Sequence, residues 1–186
     1  MKKNICVFGG SVSGKNIENQ KTAKIIGKII AENNFNIVFG GGENGIMGAV
    51  AQSGIENGAK TTGIIPNFLL KKDILDSAHS KIFNSKLIKT KTMHQRKKMM
   101  YDSSHGFLVL PGGIGTLDEC FEVLTWCQLY QIKNKNVGII NFKGYWDPLM
   151  NLIKHIIKEE YMMPNNLNYY EEIKNINSLK IFLKNI

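Results

Sequence analysis

Short, nearly unbroken apolar runs alternate along this chain with longer stretches in which apolar residues recur every three or four positions. The runs are Asn4–Phe8 ("NICVF"), Asn36–Phe39 ("NIVF"), Thr61–Ile65 ("TTGII"), Gly106–Leu110 ("GFLVL") and Val137–Asn141 ("VGIIN"). A weaker one falls in Ser80–Asn84 or Lys86–Lys89. Rich in β-branched residues and lacking polar alternation, they predict parallel strands covered on both faces. Helical periodicity fills the gaps. Ile25, Ile26, Ile29 and Ile30 form a stripe within Glu18–Asn33, and Ile46, Met47 and Val50 begin a second. Phe121, Leu124 and Leu129 mark a third. Leu149, Leu152, Ile153, Ile156 and Ile157 make a fourth, opened by Asp147–Pro148, and Ser178–Ile186 reads as a final short helix. The pattern predicts a single α/β domain over residues 1–186, a Rossmann-like, doubly wound parallel sheet with helices on both faces. Ligands of such sheets bind beyond the carboxyl ends of the strands.

Three strands end in glycines: "GGSVSG" (Gly9–Gly14), "GGGENGIMG" (Gly40–Gly48) and "PGGIGT" (Pro111–Thr116). Backbone amides at such turns and at the helix starts behind them suit an anion. Gly10, Ser11, Gly41, Gly42, Gly112, Gly113, Gly115 and Thr116 are therefore candidate phosphate ligands. A dinucleotide site is disfavoured. Gly40, Gly42 and Gly45 fit G-x-G-x-x-G, but the next strand ends in Pro66–Asn67 where an acid should hold the ribose. A P-loop is excluded for want of G-K-[ST].

The third loop runs directly into acids. Thr116 and Glu119 spell the T-x-x-E of a capping box, which local statistics favour, and Asp118 is assigned to the same helix-start role. Yet Glu119 and Glu122, three apart, share a helix face, which a cap does not require. Beside an anion site the two carboxylates suit a ribose 5-phosphate. The phosphate would sit in the loop, with the anomeric carbon over acids that stabilise an oxocarbenium-like transition state.

Charge alters this picture little. The net charge of +9 is carried by 24 basic residues, with no dense block of the kind a nucleic-acid tail shows. Between Asp76 and Asp102 six lysines and Arg96 occur without an acid, a field that suits a small anion. Of all the basic residues only Arg96 is arginine, which points to a position needing a planar fork of donors. Cys6, Cys120 and Cys127 lack metal-ligand spacing and read as buried thiols, and the scattered His79, His94, His105 and His155 as non-ligands. No apolar run is long enough to span a membrane, and the N-terminal run is too short for a signal peptide, so a cytoplasmic protein is expected.

"PGGIGTLDE" (Pro111–Glu119) with "MHQRK" (Met93–Lys97) resembles the signature of the LOG family, the cytokinin riboside 5′-monophosphate phosphoribohydrolases, some of which carry an older lysine decarboxylase label. The likeness extends through "ICVFGGS" (Ile5–Ser11), "VFGGGENGIMGAVA" (Val38–Ala51), "FEVLTWCQL" (Phe121–Leu129) and "GYWDPL" (Gly144–Leu149). It implies hydrolysis of the N-glycosidic bond of N6-modified adenosine monophosphates, without metal or redox cofactor. It further implies Arg96 and Glu119 as the catalytic pair, with Lys97, residues 112–119 and Thr125 at the nucleotide, Asp73 as an acidic substrate contact, and a homodimer. Arg96 would position Glu119 or bind the nucleotide; Glu122 would bind ribose hydroxyls or support Arg96. The rival readings are a non-catalytic nucleotide-binding module and, from charge alone, a nucleic-acid binder.

Overall fold

Seven parallel strands form one sheet in the computed structural model, which describes residues 2–69, 86–129, 136–163 and 169–186. In chain order they are β1 (Asn4–Phe8), β2 (Asn36–Phe39), β3 (Thr61–Pro66), β4 (Lys86–Thr90), β5 (Gly106–Val109), β6 (Asn136–Ile140) and β7 (Tyr170–Ile173). Their spatial order is β4-β3-β2-β1-β5-β6-β7. Strand order therefore reverses at β1, whose Ile5 pairs with Ile37 on one side and Gly106 on the other. This is the doubly wound Rossmann-like arrangement, and its switch point lies between β1 and β5.

The continuous apolar character of β1 follows from its position. Ile5 and Val7 enter the core layer that includes Ile26, Ile30 and Val50. Cys6 and Phe8 enter the opposite layer, with Tyr101, Phe107 and Val123. A strand rotates successive side chains to opposite faces, so one covered by helices on both sides has no polar positions to spare. The helices are α1 (Ile17–Glu32), α2 (Gly45–Glu56), α3 (Met93–Asp102), α4 (Ile114–Gln128), α5 (Asp147–Lys158) and α6 (Ile176–Lys184). Pro148 stands in the first turn of α5, where its missing amide costs no helix bond.

The structure adds one strand that the pattern did not predict and changes one expectation. The strand β7 has no apolar signature: in "YEEI" only Ile173 is buried, as an edge strand permits. The stripe Phe121–Leu124–Leu129 is not the core face of α4. Cys120, Val123 and Cys127 are buried there, whereas Phe121 and Leu129 are exposed. Of the two placements for the weak strand, Lys86–Thr90 is the observed one, and Ser80–Asn84 lies outside the described residues.

Candidate active site

The glycine loops follow β1, β2 and β5, three adjacent strands, and meet at the switch point. The Gly10 amide donates to the Pro111 carbonyl at 3.0 Å, and the Gly10 carbonyl accepts from the Ile46 and Met47 amides at 2.9 and 3.3 Å. Gly10 is thus the joint that ties the loops together, and its amide is already engaged by protein. Gly112 is fixed by close contact: a Cβ there would lie 2.1 Å from Thr116 Oγ1 and 2.8 Å from the Gly10 amide nitrogen. Gly113 and Gly115 face open space instead. Ser11 is exposed, Gly41 is buried at a positive φ of 81°, and Gly42 is partly buried.

The T-x-x-E reading is overturned. The helix α4 starts at Ile114 with Gly113 as its N-cap, and no side chain caps it. Thr116 lies inside the first turn, buried, and Glu119 points elsewhere. A glycine N-cap leaves the first-turn amides without a side-chain acceptor, beside a loop whose outer face is open. That combination suits an anion.

Thr92 starts α3 by accepting from the Gln95 amide at 3.1 Å. Arg96, Lys97, Met100 and Tyr101 form its buried face, an i, i+4 repeat on two neighbouring rows. The basic triplet is therefore split by helix geometry. Lys98 is exposed and pairs with Asp102, while Arg96 and Lys97 turn inward. The Arg96 guanidinium lies between elements: Nε donates to the Ile64 carbonyl at 3.1 Å, and Nη2 meets Glu119 Oε1 at 3.1 Å. Nη1 contacts the Met93 sulfur at 3.9 Å. Two different nitrogens of one planar fork thus reach the β3 carbonyl and the α4 carboxylate, a geometry that a lysine's single ammonium does not reproduce.

Lys97 makes the second link. Its Nζ is 3.0 Å from Asp118 Oδ2 and 2.7 Å from Glu122 Oε2, and the Tyr101 hydroxyl donates to that same Glu122 oxygen at 2.9 Å. Glu122 therefore supports Lys97 and is not the partner of Arg96, one of the two roles its spacing suggested. Asp118, assigned from sequence to the helix start, is a Lys97 ligand. Thr125 stands apart from this cluster. It lies six residues beyond Glu119, roughly 9 Å along the helix, with its hydroxyl bound to the Phe121 carbonyl. It borders an apolar groove of about 150 Å³ between α4 and α5. Asp73 lies outside the described residues.

Burial pushes the Glu119 carboxyl up to about 7; Arg96 and Lys97 oppose the rise, and Asp118 and Glu122 add to it. Burial would lower Lys97, but the carboxylates of Glu122 and Asp118 outweigh it and hold the ammonium above its ordinary value. The two ion pairs thus differ: one carboxylate exchanges its proton near neutrality, and one ammonium stays charged. Cys120, next to Glu119 in sequence, is pushed up to about 12 by burial, which suppresses a nucleophilic thiolate. Among the described residues no cluster of His, Cys, Asp or Glu could hold a metal, and no helix is long and apolar enough to cross a membrane.

Two contributors were not among the candidate site residues. Tyr101 is legible only once Lys97 is known to face inward, since it sits one turn further on the same face. Tyr145, from "GYWDPL", donates to the Gly112 carbonyl at 2.7 Å and braces the third loop from the β6–α5 connection.

A family model described as "Possible lysine decarboxylase" matches residues 47–180. A protein of Oryza sativa subsp. japonica named as probable cytokinin riboside 5′-monophosphate phosphoribohydrolase LOGL6 is 38% identical over 163 residues. That match covers 88% of this chain and 63% of the rice protein, so the chain spans about three fifths of its length. Cytokinin riboside 5′-monophosphate phosphoribohydrolase LOG1 of Arabidopsis thaliana is 36% identical, with 87% of this chain and 73% of that protein matched. In fold, the chain is similar to the molybdenum cofactor carrier protein of Chlamydomonas reinhardtii, with TM-score 0.70, 20% identity, and 99% and 97% of the two chains covered.

Proposed function

Because this chain belongs to the cytokinin riboside 5′-monophosphate phosphoribohydrolase family, we propose that it hydrolyses the N-glycosidic bond of adenosine 5′-monophosphates, including N6-modified ones. The products are free base and ribose 5-phosphate. The observation that carries the reading is the buried Arg96–Glu119 contact of 3.1 Å, held one to two turns behind an uncapped helix start. In this reading the 5′-phosphate occupies the amides after Gly113, and Thr116 and Gly115 flank it. The sugar then lies along α4 with its anomeric carbon at Glu119. As the bond to the base breaks, positive charge grows on the sugar; the Glu119 carboxylate stabilises it and orients the attacking water. Arg96 fixes that carboxylate, and Lys97 supplies charge to the nucleotide.

The decisive assay incubates the protein with AMP, other nucleoside monophosphates and N6-prenylated AMP, and separates the products. Release of base together with ribose 5-phosphate is expected. If nucleotides raise the melting temperature and stay intact, the chain is a binding module instead.

The chemistry has a pH signature. Glu119 must be ionised to act, so kcat/KM rises with pH through about 7, the value to which burial pushes this carboxyl. Stability runs the other way. A carboxyl raised in the folded state holds its proton where the unfolded chain has lost it, so stability falls as pH rises from about 4.5 to 7. Paired pH profiles of kcat/KM and thermal stability check both signs. A flat rate profile between pH 6 and 8 would remove Glu119 from the reacting centre.

A homodimer in a reducing, cytoplasmic compartment completes the proposal. The exposed Phe121 and Leu129 and the apolar groove lined by Leu124, Ile153 and Ile156 offer a face for the second copy.

A further inference from the structure

The hydroxyl of Tyr101 belongs to a connected line of polar groups. Its ring is fully buried in an aromatic cluster, 4.9 Å from Trp126 and 5.9 Å from Phe107 between centroids, both edge-on. Such packing fixes the ring and therefore the direction of its O–H bond. That bond reaches Glu122 Oε2 at 2.9 Å, and the same oxygen holds Lys97 Nζ at 2.7 Å. Lys97 continues the line to Asp118, at 3.0 and 3.2 Å to the two carboxylate oxygens.

The members of this line differ in how firmly they are held. Asp118 is half-exposed and free to follow solvent, whereas Glu122 is mostly covered. Lys97 is buried, so its flexible stem is directed by its partners' positions. Without the fixed Tyr101 donor on the oxygen it shares with Lys97, the Glu122 carboxylate could rotate and carry the ammonium with it. Burial, and then Glu122, raise the Tyr101 phenol above its ordinary range, so it remains a proton donor throughout the working pH range.

We propose that Tyr101 is a positioning residue for the nucleotide site: its hydroxyl locks Glu122, and Glu122 in turn holds the Lys97 ammonium in register beside the Arg96–Glu119 pair. The inference rests on the phosphoribohydrolase reading for the identity of the ligand, and on distances alone for the line of contacts. It assigns Glu122 a role as an anchor for Lys97, in place of direct contact with ribose hydroxyls. Lys97 thereby presents one fixed charge to the substrate, where an unanchored lysine would sample many.

The test is Tyr101→Phe, which removes one oxygen and keeps the ring. The melting temperature should stay within a few degrees, since the aromatic contacts remain. In protein carrying isotope-labelled lysine, the Lys97 ammonium resonance, assigned by its loss in Lys97→Met, is compared without ligand. It should shift and exchange faster with water in the variant. Loss of one hydrogen bond to a charged group should raise the KM for AMP about tenfold, with kcat within about threefold of wild type. An unmoved ammonium resonance, or an unchanged KM in an active enzyme, overturns the proposal and leaves Tyr101 as packing. If the wild type cleaves no nucleotide, the phosphoribohydrolase reading fails, and the ammonium resonance alone still decides on Tyr101.

Discussion

Glu119→Gln should lower kcat by about 10³-fold while leaving AMP affinity within a few-fold of wild type. The substitution keeps size and shape, and its amide oxygen still accepts from Arg96 Nη2, which meets Glu119 Oε1 at 3.1 Å in the native protein. What disappears is the negative charge that the proposed reaction sets beside a carbon turning positive. An interaction made chiefly in the transition state appears in kcat and not in ground-state binding. The helix start gives no competing explanation for a loss, because Gly113 is the N-cap of α4 and Glu119 takes no part in capping it. Nor should the fold suffer greatly. Near pH 7 the native carboxyl is already partly protonated, so glutamine resembles a form the protein normally visits. Single-turnover kinetics and equilibrium binding on the same preparation separate the two effects. Retention of more than a tenth of wild-type turnover would sink the assignment.

The sequence made the scaffold readable wherever local chemistry and final environment agree. The buried strands have a composition that admits few alternatives, and the glycine loops at the ends of β1, β2 and β5 stood out before their adjacency was known. Arg96 was singled out by its rarity, and it does bridge β3 and α4. The failures concern partners supplied by the rest of the molecule. T-x-x-E is a local pattern, and it cannot reveal that the helix begins earlier, at a glycine. The face of α4 was misread because its inward side carries Thr116 and Glu119 among small cysteines, whereas its bulkier apolar residues point outward. Apolar periodicity finds a core face only when the core is apolar, and polar and charged side chains buried on a helix break that rule. Lys97 and Glu122 both stood out in the sequence as candidates, but their mutual pairing required the α3–α4 packing.

Gly40→Ala is the second substitution expected to silence the protein, although Gly40 carries no functional group. It follows β2, and a Cβ there would lie 2.0 Å from Arg96 Nη2 and 3.1 Å from its Cζ. The backbone at Gly40 lies outside the left-handed region, so alanine meets no conformational barrier and the collision is with a side chain alone. A flexible guanidinium gives way more readily than a sheet. The expected outcome is a folded protein in which Arg96 has been displaced from Glu119, with stability lowered by about 1–3 kcal/mol through overcrowding. Turnover should fall about 10²-fold or more, because the carboxylate loses the group that orients it. The pH profile separates this from general damage. Arg96 is the foremost charge opposing the upward push that burial gives Glu119, so its withdrawal moves that carboxyl further above 7. The acid limb of the residual kcat/KM should therefore shift to higher pH in Gly40→Ala, whereas a merely destabilised enzyme keeps the wild-type limb at lower amplitude. Wild-type turnover together with an unshifted limb would mean that the guanidinium does not occupy the space Gly40 leaves for it, and the pairing at the centre of the proposed site would fall with it.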